Sequence, residues 1–294
     1  SLIRKRHEDY SNMVQRLYAG DDISVNHALC RNITFQVTSG CNLRCSYCYE
    51  HHKGAEHMSI ETGRKIVDYL LDLYEQNTSD FINRRTKAVV LDFIGGEPLL
   101  EAALIEKICD YWFAECFRRG VPLAPFTRIS FATNGKLWFS QEAQHLFEKY
   151  HELMSVTISI DGIQELHDRY RIDADGNGSF STAWAAFQDA KSKYGWLNSK
   201  MTFVPGSFRY IADSIKMMLD EGCTDIACNY AYEPVYTPAD GLALYEQMKS
   251  VSDYIISKQL DVSITMLDDI LGGKAMNNNN FCGGTGAMMS FAPD

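Results

Sequence analysis

Six short runs of apolar and β-branched residues recur along the chain, and each is followed by a stretch with helical periodicity. Parallel strands cannot be joined by a tight turn; they need a crossover, usually a helix, so this alternation commits the chain to an α/β fold with a parallel sheet. The strands are predicted at Ile33–Val37, Ala88–Ile94, Arg128–Ala132, Ser155–Ile160, Lys200–Val204 and Asp225–Tyr230. A helix is predicted from Ser59, with Ser59-Ile60-Glu61-Thr62 as its start and an apolar face at Ile66, Tyr69, Leu70 and Leu73. Others are expected over Leu99–Arg118, Gln141–Tyr150, Thr182–Lys193, Ile211–Glu221 and Asp240–Lys258. Six units suit a partial (β/α)6 barrel, because a closed eight-unit barrel takes roughly 250 residues for its units alone. In such sheets chemistry collects at the C-terminal ends of the strands, so the residues after each strand are read together.

Composition narrows the function classes. The formal net charge is -10, from 28 Lys and Arg against 38 Asp and Glu, which argues against a protein that clamps nucleic-acid phosphates. No apolar run approaches the roughly 20 residues that span a bilayer, and Ser1-Leu2-Ile3-Arg4-Lys5 lacks the apolar core of a secretion signal. A cytoplasmic protein without membrane or nucleic-acid partners is expected. The nine cysteines are an odd number, and three crowd into residues 41–48, a poor pattern for disulfides and a good one for a metal. Cys30, Cys109, Cys116, Cys223 and Cys228 fall in strand or helix patterns and read as core.

The loop Ser39-Gly40-Cys41-Asn42-Leu43-Arg44-Cys45-Ser46-Tyr47-Cys48 follows the first strand. Three close thiolates can hold three corners of an iron–sulfur cube and leave the fourth iron open to a small molecule. They equally suit a structural zinc completed by His51 or His52. After the second strand, Ile94-Gly95-Gly96-Glu97-Pro98 reads either as a simple turn or as a place where backbone approaches a ligand closely. It lacks the ending of a phosphate loop. Thr133-Asn134-Gly135 follows the third strand. Ser159-Ile160-Asp161-Gly162 closes the fourth, with His167-Asp168-Arg169-Tyr170-Arg171 beyond it. The guanidinium fork of Arg171 suits a carboxylate, although an exposed salt bridge is the plainer use. Asn229, Tyr230 and Glu233 end the sixth strand, where they could touch substrate or accept a proton; a packed tyrosine and a surface acid are the alternative. Tyr49, Glu50 and His51 are placed to border a substrate mouth.

The CxxxCxxC spacing with Tyr47 before the last cysteine resembles the radical S-adenosylmethionine (SAM) superfamily, and the resemblance covers about residues 31–236. It implies the partial barrel of that family and a [4Fe-4S] cluster on Cys41, Cys45 and Cys48. It also implies SAM held by Gly95, Gly96, Glu97, Asn134, Ser159 and Arg171, with backbone beside Tyr47 meeting the adenine. The Ser159 to Arg171 stretch is similar to the subgroup with a C-terminal SPASM or twitch segment. Cys282-Gly283-Gly284 resembles the opening of such a segment, with Cys282 as a possible ligand of an auxiliary [4Fe-4S] cluster. On this reading residues 1–28 are a helical lead-in, 29–236 the barrel core, 237–281 the last helix and a linker containing Asn277–Asn280, and 282–294 an incomplete SPASM start. The activity implied is reductive cleavage of SAM to a 5'-deoxyadenosyl radical and hydrogen abstraction from a peptide, giving a thioether or carbon–carbon crosslink in a ribosomal peptide. Its partners would be that peptide or protein and an electron donor such as flavodoxin or ferredoxin. A sulfatase maturase that makes formylglycine is the alternative enzyme, and a non-catalytic zinc or iron–sulfur module the alternative from another class.

Overall fold

The computed structural model describes residues 30–51, 53–76, 88–231, 233–267 and 288–293. Among them eight strands form one sheet: β1 (Cys30–Thr38), β2 (Ala88–Gly95), β3 (Thr127–Thr133), β4 (Met154–Ser159), β5 (Ser199–Phe203), β6 (Asp225–Tyr230), β7 (Ser263–Ile264) and β8 (Met288–Phe291). The order is β7-β6-β5-β4-β3-β2-β1-β8, and every pairing is parallel. From β1 to β7 each strand lies beside its predecessor, the order produced by successive crossovers of one hand and shared with an open (β/α) barrel. All six predicted strands are present. The count is corrected by β7 and β8, which flank them at the two edges and are too short to carry a pattern. Residues 1–28, Asn277–Asn280 and Cys282 lie outside the described residues.

The helices are α1 (Ile60–Gln76), α2 (Ala102–Arg118), α3 (Gln141–Tyr150), α4 (Gln164–Tyr170), α5 (Phe180–Tyr194), α6 (Ile211–Asp220) and α7 (Pro238–Lys258). Caps explain several starts. The Ser59 hydroxyl accepts from Thr62 N at 3.0 Å, Ser140 caps α3 in the same way, and Thr237 with Asp240 forms a full capping box on α7. The buried stripe of α1 is Gly63, Ile66, Val67, Leu70 and Leu71. This corrects the predicted face: Tyr69 is 49% exposed, and its ring meets the edge of Phe291 in β8.

Alternation along the strands gives the sheet two unlike faces. Ile33, Phe35, Leu91, Phe93, Phe131, Ile158, Met201 and Phe203 are fully or almost fully buried in the core with the helices, each worth about 1.5–3 kcal/mol of burial. Cys109, Cys116, Cys223 and Cys228 are buried as expected; the Cys228 thiol is pushed up to about 12 by desolvation, leaving it an inert core group. The opposite face carries Gln36, Asp92, Ser130, Thr157, Lys200 and Asn229, all half-buried or exposed. Burial nevertheless raises the Asp92 carboxyl above its usual range. A parallel sheet is ordinarily apolar on both faces, so this polar face is a departure that suits a ligand better than a layer of helices.

Candidate active site

The cysteine loop leaves the C-terminal end of β1 and is held by main-chain bonds from two directions. Gly96 N donates to Thr38 O at 3.2 Å and Glu97 N to Gly40 O at 2.9 Å. From the other side, Arg44 N donates to Ile172 O at 2.6 Å and Ser46 N to Tyr170 O at 3.0 Å. Gly95 and Gly96 therefore permit close approach, but to this chain's own loop. A Cβ at Gly95 would strike the Thr38 carbonyl, and one at Gly96 the Gly40 carbonyl and the Cys41 Cβ. Cys41, Cys45 and Cys48 are all half-buried on this loop. Burial raises the Cys41 and Cys45 thiols, a cost that a bound metal reverses by taking them as thiolates. Leu43 N donates to Cys41 Sγ at 3.4 Å and Lys53 Nζ to Cys48 Sγ at 3.0 Å.

Glu97 is 1% exposed and shares its oxygens among three donors: Leu99 N at 3.0 Å, Thr133 Oγ1 at 2.7 Å and Asn134 N at 2.7 Å. Desolvation still holds its carboxyl above the usual range. A carboxylate has about four lone-pair positions, so one remains for a ligand N–H. Asn134 continues the tie to the cysteine loop, its Nδ2 donating to Asn42 Oδ1 at 2.7 Å.

Arg171 is 9% exposed and faces the loop from beyond α4. Its Nη1 donates to the Tyr47 hydroxyl at 2.7 Å, which in turn donates to Asp161 Oδ2 at 2.5 Å. Asp161, fully buried, also accepts from Thr202 N at 3.0 Å and lies 3.8 Å from Arg171 Nη1. Desolvation raises the Asp161 carboxyl, opposed chiefly by the Arg171 charge. The Arg171 Nε is buried and has no hydrogen-bond partner among the described residues. His167 supports this group from behind. Its Nδ1 accepts from Asp161 N at 3.3 Å, while Nε2 meets Ser179 Oγ at 3.0 Å. The Ser179 hydrogen is committed to Arg171 O at 2.9 Å, so Nε2 must carry the proton and the ring must be neutral. Burial and the Arg171 charge depress its pKa to about 3.

The structure thus brings together Cys41, Cys45, Cys48, Tyr47, Gly95, Gly96, Glu97, Asn134 and Arg171. Ser159 ends β4 half-buried beside Lys200 of β5. Tyr230 packs with Phe208 and Tyr236, the plainer of its two readings. Glu233 bonds His51 at 3.0 Å, both side chains exposed, which joins the end of β6 to the cysteine loop. His51 is thereby turned to Glu233. His52 and Cys282 lie outside the described residues. Sequence reasoning missed Asp161, His167 and Ser179 as supports. Their one signal was position, directly after a strand end and around the Arg171 segment.

The residues fit the groups the resemblance implies. Three thiols share one loop, two of them, Cys41 and Cys48, with an N–H donor at sulfur, Glu97 keeps one acceptor position, and the Arg171 Nε, orphaned among the described residues, is a donor that a ligand carboxylate would satisfy.

The family model of the radical SAM superfamily matches residues 35–224. An uncharacterised protein of Methanocaldococcus jannaschii is 33% identical over 153 residues, 51% of this chain and 44% of that protein. A cysteine-type anaerobic sulfatase-maturating enzyme of Clostridium novyi is 29% identical over 49% of this chain and 36% of its own length. A radical SAM cyclopropyl synthase of Paramaledivibacter caminithermalis is 21% identical over 99% of this chain and 60% of that enzyme. The chain spans less than two thirds of each of these relatives. The solved structure of native anSMEcpe with bound AdoMet and Cp18Cys peptide shares the fold, with a TM-score of 0.63 and 23% identity over 83% of this chain and 66% of that one.

Proposed function

The chain belongs to the radical SAM superfamily, and from that membership we propose that it holds a [4Fe-4S] cluster on Cys41, Cys45 and Cys48, cleaves SAM and modifies a peptide. Held by these three thiolates, the cluster would supply the low-potential electron for reductive cleavage of SAM, and SAM the radical chemistry at an unactivated carbon. The observation that carries the SAM reading is the buried, unpaired Arg171 Nε. Arg171 pairs with the amino-acid carboxylate, and Tyr47 and Asp161 hold the guanidinium for it. Glu97 offers its remaining lone pair to the amino group, while Asn134 and the two glycines keep the cysteine loop in place.

The peptide reading is supported by the relatives' named roles, sulfatase maturation and cyclopropane formation, and by the peptide bound in the similar structure. The polar sheet face around Asp92, Lys200 and Asn229 suits a chain with many amides. Ribosomal-peptide crosslinking is the first reading, with a flavodoxin or ferredoxin as electron source. Formylglycine formation is the second, favoured by the higher identity to the sulfatase-maturating relative. Any auxiliary cluster, with Cys282 as a ligand, belongs to this same proposal.

Arg171→Ala tests the SAM site: affinity for SAM is expected to fall about 10- to 100-fold, the loss of a charged hydrogen-bonding group, with iron content and cluster absorption unchanged. Unchanged affinity would sink the SAM reading. For the substrate, mass spectrometry of co-expressed candidate peptides should show loss of two hydrogens on crosslinking. If every candidate keeps its mass and takes up no deuterium, which would report epimerisation, the peptide reading fails.

A further inference from the structure

A cation stands against the cluster loop. Lys53 is half-buried and donates from Nζ to Cys48 Sγ at 3.0 Å. The chain returns it there by pinning the next residues to the end of β1. Ser39 N and Thr38 Oγ1 both donate to Glu56 O at 3.1 Å, and Glu56 N donates to Ser39 Oγ at 3.2 Å. Gly54 passes so close to Ser39 that a Cβ there would strike its hydroxyl. Arg44 belongs to the loop itself and bonds the Cys41 carbonyl at 2.6 Å; of the cations that reach the loop from outside it, Lys53 and Arg171 are not equivalent. Arg171, next to Cys45, is balanced by Asp161 and would be further neutralised by a ligand carboxylate. Lys53 makes no ion pair with a carboxylate among the described residues.

A reduction potential of an iron–sulfur centre follows its net charge and the hydrogen bonds to its sulfurs. Reduction adds one negative charge that spreads over those sulfurs, so a fixed ammonium on one of them stabilises the reduced form more than the oxidised. We propose that Lys53 is a positioning residue of this kind, which raises the potential of the cluster on Cys41, Cys45 and Cys48 and eases its reduction by a low-potential one-electron donor. The proposal rests on the cluster assignment made above, and it concerns a residue that neither binds SAM nor ligates iron.

The test is a redox titration of the full chain, anaerobically reconstituted and free of SAM, following the reduced cluster by electron paramagnetic resonance. Wild type, Lys53→Met, Lys53→Gln and Lys53→Arg are compared at matched iron content. The two neutral variants are expected to titrate at more negative potential, with the reduced-to-oxidised ratio at the wild-type midpoint down about tenfold, or about 59 mV for a one-electron couple. Lys53→Arg should stay within about threefold of wild type in that ratio. An unmoved midpoint in either neutral variant with full iron overturns the proposal. So does loss of the cluster from both, because Lys53 would then hold the metal without tuning it. A wild-type chain that takes up no cluster contradicts the proposed function itself, a distinguishable result.

Discussion

His167 has one permitted arrangement of protons, and that makes it an acid-sensitive support of the site. Its folded pKa, about 3, lies below the ordinary histidine value of about 6.5. Between those values the unfolded chain binds a proton that the native state refuses, so the stabilisation is complete above about pH 6.5 and is lost as pH falls toward 3. The loss is at most about 1.4 kcal/mol per pH unit. His167→Gln should flatten the acid arm of a plot of unfolding midpoint against pH; parallel acid arms in the two proteins would show that the ring is not held neutral. Tyr47 bridges two buried charged groups, so Tyr47→Phe leaves Arg171 Nη1 and Asp161 Oδ2 short of a partner. It is expected to cost about 1–3 kcal/mol in denaturant unfolding and to weaken SAM binding in equilibrium titration. Arg171 and the three cysteines were legible in the sequence because local spacing and motif order mark them. The bridge was not, since Tyr47 and Arg171 stand 124 positions apart and only the fold juxtaposes them.

At the scale of elements, the ends of β1 and β2 act as one unit. Gly96→Ala should force the Gly40 carbonyl and Cys41 out of place, because those atoms already occupy the space a Cβ would take. The expected result is a variant with native far-ultraviolet circular dichroism that retains less than about half of the wild-type iron after reconstitution; full iron would show that the loop does not depend on this contact. The paired glycines were recognisable before the structure; what it adds is that they admit a neighbouring segment of the same chain. Six strands were legible because each spans five or more residues of alternating or continuous apolar pattern. β7 has two residues and β8 four, and helix α4 has seven, with Leu166 as its one buried apolar side chain, so none carries a period.

Taken as a whole, the molecule divides its sheet between a sealed apolar side and a polar side. Phe35 belongs to the sealed side and stacks on Phe93 at 5.3 Å, with Phe291 of the edge strand β8 at 6.2 Å. Phe35→Ala should therefore destabilise by about 3–5 kcal/mol in urea unfolding. A loss below 1 kcal/mol would mean that β1 is not central to the core. The parallel order was legible from strand and helix alternation. The polar face was visible only once register placed Gln36, Asp92, Ser130 and Lys200 on one side, because each strand alone looked like an ordinary buried run. No helix among the described residues is long and apolar enough to cross a membrane. Whether the loop of Cys41, Cys45 and Cys48 equips this fold to cleave SAM is decided by anaerobic reconstitution, dithionite reduction with SAM, and chromatography for 5'-deoxyadenosine. The wild-type chain is expected to form it and Cys45→Ala to form none; equal amounts from both, or a reconstituted wild-type cluster that yields none, would contradict this role of the loop.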